Sequence, residues 1–173
     1  NNEVNLGGYR DVEDPSLTVR LVVTSGTGPA VPGDVLLVWT TTPWTIPSNL
    51  GVQVGPGIGY ARIITPLDGV EGPYWVAVDR IPAYWPEGAD ISGEALGSDL
   101  IGTRYAPALP YFAELASRGA FVVVAGGEVS TTEGTGLVHT SPAHGEADFE
   151  AFQAAGLADL LVDPVDEVGR FTD

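Results

Sequence analysis

Glycine and proline divide this chain into short segments, and that punctuation constrains the folds it can adopt. There are 23 glycines and 14 prolines among 173 residues, a length sufficient for one domain with a substantial core. Short apolar or alternating runs lie between them, at 17–21, 34–40, 50–54, 60–64, 74–78, 121–125 and 136–140. Such runs predict β-strands. We therefore expect an α+β fold that is predominantly β, a barrel or sandwich with a few short helices.

Two helices are expected among these strands. Residues 111–118 predict a short one that stops at Gly119, the residue type that most often ends helices in the left-handed conformation. Residues 146–155 predict a better-formed helix, with Asp148 in its first turn and Gly156 after its end. No repeat, low-complexity tract or linker interrupts the pattern. Residues 1–173 are therefore expected to form a single domain.

The charge distribution excludes several classes of partner. The formal net charge is −16, and all seven basic residues are arginines scattered along the sequence. Binding a nucleic-acid backbone requires a basic face, so the chain is not expected to bind DNA or to hold a long nucleic acid by itself. No apolar run approaches membrane-spanning length, so no membrane association is expected.

The missing residue types bound the setting of the chain. It contains no cysteine, which rules out disulfides and thiolate metal sites and is compatible with the cytoplasm, the location that we expect. It contains no methionine and opens on Asn1. We therefore expect it to have been excised from a longer protein.

The stretch "WTTTPWTIPSNL", residues 39–50, gathers hydroxyl groups where an apolar strand should continue. One interpretation is structural, with the hydroxyls facing solvent or binding nearby backbone. Trp44 favours a small-ligand site instead, because a large apolar wall beside convergent hydroxyls is typical of such sites. The threonine hydroxyls belong to Thr40, Thr41, Thr42 and Thr45.

The stretch "GTGLVHTSPAHGEADFE", residues 134–150, contains both histidines, His139 and His144. It also places Asp148 in the first turn of the predicted helix, where the helix dipole favours an ionised carboxylate. That carboxylate can serve the helix N-terminus, or it can receive the ammonium group of a ligand.

Three chemistries suit these residue types. A metal could use His139, His144 and Asp148, but the histidine spacing, with a proline between them, is not that of a helical HExxH site. Nucleophilic catalysis has its threonine, histidine and aspartate, but no nucleophile elbow. A recognition pocket for a small, positively charged amphiphile fits best, and we expect no metal.

Taken together, the two stretches resemble the paired signatures of CP1, the editing domain inserted into class I isoleucyl-tRNA synthetases. The later segment "PVDEVGRFT" resembles the segment that comes after those signatures in the same enzymes. The valyl and leucyl relatives typically carry an arginine after the first two threonines and an acidic residue after the proline. Thr42 and Trp44 stand at those places, which indicates the isoleucyl branch. His144 departs from the isoleucyl pattern, where an aromatic residue is common, and has no assigned role.

The resemblance implies a β-barrel-like editing domain without the aminoacylation core. No HIGH-like motif is present, and a KMSKS-like motif is impossible without lysine. No cofactor is therefore expected in this domain, since ATP serves the absent core.

The implied activity is hydrolytic editing of Val-tRNA(Ile) and of valyl-adenylate, as part of isoleucine–tRNA ligase. One methylene is worth only about 1–3 kcal/mol of discrimination, a limit for which isoleucyl-tRNA synthetase is the established example. A second, smaller pocket would admit valine and exclude isoleucine. The implied partners are the 3′-terminal adenosine of tRNA(Ile) carrying valine, valyl-adenylate and the remainder of the parent synthetase.

The resemblance also implies roles for the site residues. Asp148 would pair with the α-ammonium group. His139 and Thr45 would bound the side-chain pocket and exclude the extra methylene of isoleucine. The remaining threonines would bind the terminal adenosine and position the attacking water, with Trp44 forming an apolar wall. They are Thr40, Thr41 and Thr42, which with Asp148 are the expected catalytic residues.

Two other functions stay open on the sequence. One is editing of a different amino acid, as in the valyl and leucyl enzymes. The other is a non-catalytic, acidic, β-rich module that only binds a partner protein or docks the tRNA acceptor end.

Overall fold

The computed structural model describes residues 15–26 and 28–172. Within those ranges it has nine strands, three α-helices and three 3-10 helices. The strands are β1 (Leu17–Ser25), β2 (Val35–Thr40), β3 (Gly51–Val54), β4 (Gly59–Ile63), β5 (Tyr74–Ala77), β6 (Ile91–Leu96), β7 (Arg104–Tyr105), β8 (Val122–Ala125) and β9 (Leu137–Thr140). The α-helices are α1 (Ile81–Tyr84), α2 (Gly97–Leu100) and α3 (Glu146–Ala154), and the 3-10 helices are Pro43–Ser48, Val78–Arg80 and Ala113–Arg118.

Six of the strands close into a barrel. Their order is β1-β7-β8-β3-β9-β2, and β2 pairs back with β1 in an antiparallel ladder. The first half of β2 pairs with β5 and its end pairs with β9, so β5, β4 and β6 extend the sheet as a branch. Closure leaves the six barrel strands without a free edge. The predicted α+β, predominantly β, barrel-like fold is confirmed.

Strand β2 separates two apolar cores, which explains its continuous hydrophobicity. Leu36 and Val38 belong to the main core inside the barrel, whereas Leu37 belongs to a smaller core under β4 and β5. All three side chains are at most 1% exposed. The predicted burial of both faces of this strand is confirmed.

The predicted strands match β2, β3, β4, β5, β8 and β9 with bounds shifted by one residue, and β1 runs on beyond its predicted end. Strands β6 and β7 were not predicted. The predicted helix at 111–118 is wrong at its start and in its type. It is a 3-10 helix that begins at Ala113, because Phe112 adopts a left-handed conformation with φ 57°. Gly119 ends it with φ 108°, as expected.

Helix α3 confirms the second predicted helix, ending one residue early, and it covers the outer face of β3. A side-chain Cβ at Gly51 would lie 2.5 Å from the ring of Phe152, so the absent side chain makes room for that ring. Phe152 is fully buried. This contact fixes where the first turn of α3, including Asp148, meets the barrel. No described helix is long and apolar enough to cross a membrane.

Candidate functional site

The threonine-rich stretch leaves the end of β2 and turns into the 3-10 helix Pro43–Ser48. Much of its hydroxyl chemistry stabilises that turn. Thr40 Oγ1 accepts from the Thr42 backbone N–H at 3.0 Å, and Thr45 Oγ1 donates to the Thr42 carbonyl at 2.8 Å. Thr40 and Thr45 are buried, whereas Thr41 and Thr42 are exposed. The two buried hydroxyls therefore bind nearby backbone, as the structural interpretation expects, and Thr42 Oγ1 lies within 3.3 Å of both of them.

His139 is fixed between this turn and the barrel. Its Nε2 lies 2.8 Å from Thr45 Oγ1, and its Nδ1 lies 2.8 Å from Asn49 Nδ2. The Asn49 amide nitrogen also donates to the Gly51 carbonyl, which can only accept, so the orientation of the amide is determined. His139 Nδ1 therefore accepts, and its proton sits on Nε2. Thr45, whose own proton goes to the Thr42 carbonyl, accepts it.

Burial keeps His139 neutral. It is 5% exposed, and burial, with a smaller contribution from the nearby His144, lowers its pKa to about 4. Both ring nitrogens are occupied, so neither can take a proton from water or bind a metal. Across residues 15–26 and 28–172, no three His, Cys, Asp or Glu side chains form a group that could hold a metal ion.

Asp148 lies in the first turn of α3, as predicted, and its carboxylate accepts two N–H donors. Gln53 Nε2 donates to Oδ1 at 2.7 Å, and the Ser141 backbone N–H donates to Oδ2 at 2.8 Å. The expectation that its environment favours the ionised form is only partly met. Burial of the carboxyl raises the pKa of Asp148 by more than the bonds from Ser141 and Gln53 lower it.

A pair of buried serines connects the two motifs. Ser48 Oγ donates to the Thr45 carbonyl at 2.9 Å and lies 2.9 Å from Ser141 Oγ. Ser141 Oγ in turn lies 2.9 Å from His144 Nδ1. His144 Nε2 is 3.3 Å from Asp163 Oδ1 without the geometry of a hydrogen bond. Both serines are 1% exposed, so they join the stretches rather than meet a substrate.

Trp44 stands apart from this network. It is 51% exposed, and its ring meets the ring of His144 edge-on with centroids 5.1 Å apart. That contact is a structural role for His144, for which the sequence suggested none. Trp44 thus presents half of its side chain to solvent beside the turn.

The structure therefore joins Thr40, Thr42, Thr45 and His139 in one hydrogen-bonded cluster. Asp148 and Gln53 form a second cluster. Ser141, which follows Thr140 at the end of β9, connects the two clusters, because its backbone N–H donates to Asp148. Thr41 and Trp44 lie at the exposed rim of the turn.

Comparison with known proteins finds relatives in the same enzyme that the two sequence motifs indicate. Isoleucine–tRNA ligase of Treponema denticola is 42% identical over 99% of this chain and 18% of its own length. The same enzyme of Chlamydia muridarum is 39% identical over 95% of this chain and 15% of its own length. The P. knowlesi cytosolic leucyl-tRNA synthetase editing domain superposes with a TM-score of 0.63 at 13% identity, over 89% of this chain and 72% of that domain. The chain belongs to the isoleucyl-tRNA synthetase family.

The chain spans less than a fifth of the length of those two ligases. No family model matches it. At 13% identity, the leucyl domain shares the fold, and the isoleucyl assignment rests on the sequence relatives.

Three polar residues that orient the predicted site residues were not predicted from the sequence. Asn49 orients His139, and Tyr105 donates its hydroxyl proton to Asn49 Oδ1 at 2.7 Å. Gln53 contacts Asp148. Asn49 could have been found because it is the last polar residue of the first motif. Gln53 could have been found because it is a glutamine inside an otherwise apolar strand. Nothing in the sequence points to Tyr105, which lies 56 residues from its partner Asn49.

Proposed function

We propose that this chain hydrolyses the aminoacyl ester of Val-tRNA(Ile), and the anhydride of valyl-adenylate, within an isoleucine–tRNA ligase. Water adds to the valyl carbonyl, the bond to the ribose or phosphate oxygen breaks, and valine leaves with its carboxylate. Isoleucine is excluded from the same pocket by size. The 3′-terminal adenosine of the tRNA and the remainder of the synthetase are the proposed partners, and the cytoplasm is the proposed location.

The observation that carries the proposal is the position of the neutral imidazole of His139 between the threonine turn and the barrel. Its two ring nitrogens are held at 2.8 Å by Thr45 and Asn49. A side chain held on both sides makes a stiff wall, and size exclusion of one methylene requires a wall that does not yield. The family relationship supports the same assignment.

The charge needed to recognise an amino acid is supplied by Asp148. Its two oxygens each accept one N–H, so each retains capacity for a further donor. The α-ammonium group of an aminoacyl ester is such a donor, and a charge-assisted bond to it is among the stronger contacts available.

The attacking water would be positioned rather than deprotonated by a strong base. His139 has no free lone pair, and its pKa of about 4 makes it a poor base at neutral pH. Thr42 is exposed, with its hydroxyl 3.2 Å from Thr40 Oγ1 and 3.3 Å from Thr45 Oγ1. Thr45 has no proton left to give, so Thr42 donates toward the cluster and keeps acceptor capacity for a water. Orienting a bound water of this kind lowers the barrier by proximity.

The test is deacylation by the complete protein that carries this chain, with Val-tRNA(Ile) and Ile-tRNA(Ile) compared as substrates. Wild-type protein should hydrolyse the valyl ester only. Asp148→Ala should lower kcat/KM about a hundredfold, as loss of a buried charged contact does. His139→Ala should open the pocket, so that Ile-tRNA(Ile) becomes a substrate. Thr42→Ala should lower kcat more than it raises KM.

Glu150→Ala is the matched control, since Glu150 is an exposed carboxylate on the same helix. It should leave deacylation unchanged. Saturable binding without hydrolysis would favour the non-catalytic docking module instead. Hydrolysis of another mischarged tRNA in place of Val-tRNA(Ile) would assign the pocket to a different amino acid.

A further inference from the structure

Gln53 is a polar residue in the middle of an apolar strand, and its burial needs an explanation. It is 6% exposed in β3, between Val52 and Val54, whose side chains fill the barrel core. Because side chains alternate along a strand, Gln53 points out of the barrel, on the same side as Gly51. Burying an amide is unfavourable unless it is hydrogen-bonded.

Both protons of the Gln53 amide nitrogen have acceptors. One goes to Asp148 Oδ1 at 2.7 Å, and the other goes to Thr140 Oγ1 at 3.3 Å. Thr140 can accept because its own proton is donated to the Val138 carbonyl. A carboxylate has no proton to give, so the amide nitrogen, and not its oxygen, must face Asp148.

Helix α3 meets β3 through two matched contacts. Phe152 lies over Gly51, and Asp148, one turn earlier, lies over Gln53. Two residues of strand advance about 6.6–6.8 Å. Four residues of helix advance about 6 Å, so the two pairs share one register.

Packing alone does not require an amide here, since an apolar side chain of the same size could support the helix equally well. The neighbouring backbone also leaves room for the amide of Gln53. A Cβ at Gly126 would lie 2.8 Å from Gln53 Oε1, so the glycine leaves the amide its space. The chemistry that only an amide supplies at this position is an N–H aimed at the Asp148 carboxylate.

We propose that Gln53 is a positioning residue for the editing reaction, which holds the Asp148 carboxylate in the orientation that receives the substrate ammonium group. This inference rests on the role of Asp148 in the proposed function. Gln53 and the Ser141 backbone each donate a hydrogen bond to one oxygen of Asp148, and together these bonds prevent rotation of the carboxylate. The bond from Gln53 also opposes the effect of burial, which raises the pKa of Asp148.

The test is Gln53→Met in the complete protein, because methionine keeps the length and bulk of glutamine and removes the donor. Deacylation of Val-tRNA(Ile) should fall about tenfold in kcat/KM, mostly through KM, as expected for one lost charge-assisted bond. The acid limb of the pH profile should move to higher pH, since the carboxylate loses a bond that favours its ionised form. An unchanged acid limb with kcat/KM within about twofold of wild type would refute the proposal.

Phe152→Leu is the matched control, because it loosens the same helix–strand contact without touching the carboxylate. It should lower the melting temperature and leave the acid limb in place. A shift of the acid limb in this variant as well would mean that Gln53 acts only by docking the helix. If Gln53→Met fails to fold, Gln53→Asn replaces it, since the shorter amide stays polar and cannot reach Asp148.

Asp148→Asn separates the two proposals. If this variant keeps full deacylation, Asp148 has no role in editing and the proposed function of the carboxylate fails. If it loses deacylation while Gln53→Met behaves as wild type, only the role of Gln53 is refuted. The pKa of the Asp148 carboxyl, measured by NMR without substrate, should be higher in Gln53→Met than in wild type, whether or not the site edits.

Discussion

Acid should destabilise this fold through His139, because the folded chain buries this side chain in its neutral form. In the folded state burial, aided by the nearby His144, lowers the pKa of His139 to about 4, against an ordinary value of 6.5. Between those two values the unfolded chain binds a proton at this residue and the folded chain does not. Stability is therefore complete above pH 6.5 and is lost as the pH falls toward 4.

The size of the effect is set by the two pKa values. Lowering the pH from 8 to 5 should reduce the free energy of unfolding by about 2 kcal/mol through His139 alone. At pH 4 the loss would be about 3 kcal/mol, and it would level off below pH 4 at about 3.4 kcal/mol. A loss of this size is a large share of the stability of a single domain.

Urea unfolding at a series of pH values from 8 to 5 measures this loss. His144→Gln is the control, because it removes the other histidine and should retain most of the loss, which burial of His139 causes; the part due to His144 should disappear. His139→Gln should abolish most of it, although its stability at pH 8 will be lower because the bonds to Thr45 and Asn49 change. NMR should also show the His139 ring neutral at pH 5.5, with its proton on Nε2. A His139 that titrates near 6.5 in the folded protein, or a loss below about 0.5 kcal/mol at pH 5, would refute the argument.

Further predictions concern the supports of the site and of the sheet. Tyr105→Phe removes the proton that Asn49 Oδ1 accepts and should cost about 1–3 kcal/mol in urea unfolding, because a buried acceptor is left unsatisfied. Arg62→Met removes the bidentate partner of Asp34, which is 1% exposed, and should cost about 3–5 kcal/mol at pH 7. If that variant is as stable as wild type, the buried carboxylate has found another partner. A chelator should leave deacylation unchanged, since both ring nitrogens of His139 are already bonded; inhibition that zinc reverses would contradict this.

The strands that the sequence predicted are those with a core to face. β2, β3, β5 and β8 are apolar because both of their faces, or nearly so, are buried. β6 has no buried residue, and its sequence "ISGEAL" carries no clean alternation. It pairs only with β4, at the outer end of the branch. Hydrophobic periodicity reports burial and not pairing, so a strand of this kind is invisible to it.

The candidate site also has a part that the sequence predicts and a part that it does not. The hydroxyl and histidine motifs could be predicted because each is contiguous in sequence. The groups that orient them come from elsewhere, as Tyr105 does for Asn49, and their contribution depends on tertiary contacts. Asp148 was placed correctly by helix patterning, but its raised pKa was not foreseen, because the helix dipole is visible in the sequence and burial is not.

Strand β9 explains how two such different clusters meet. His139 pairs with Val52 and shares its face toward the barrel interior, whereas Thr140 pairs with Gly51 and faces α3. Two consecutive residues of β9 therefore lie on opposite faces of the sheet: His139 itself on one face, and Thr140 on the face that carries Gln53 and Asp148. A slip of one residue would exchange the two faces, but β9 is held by four paired residues of β3 and by Trp39 of β2. The barrel register thus fixes the wall that we propose selects valine, while Thr41 and Thr42 stay exposed at the turn that follows β2.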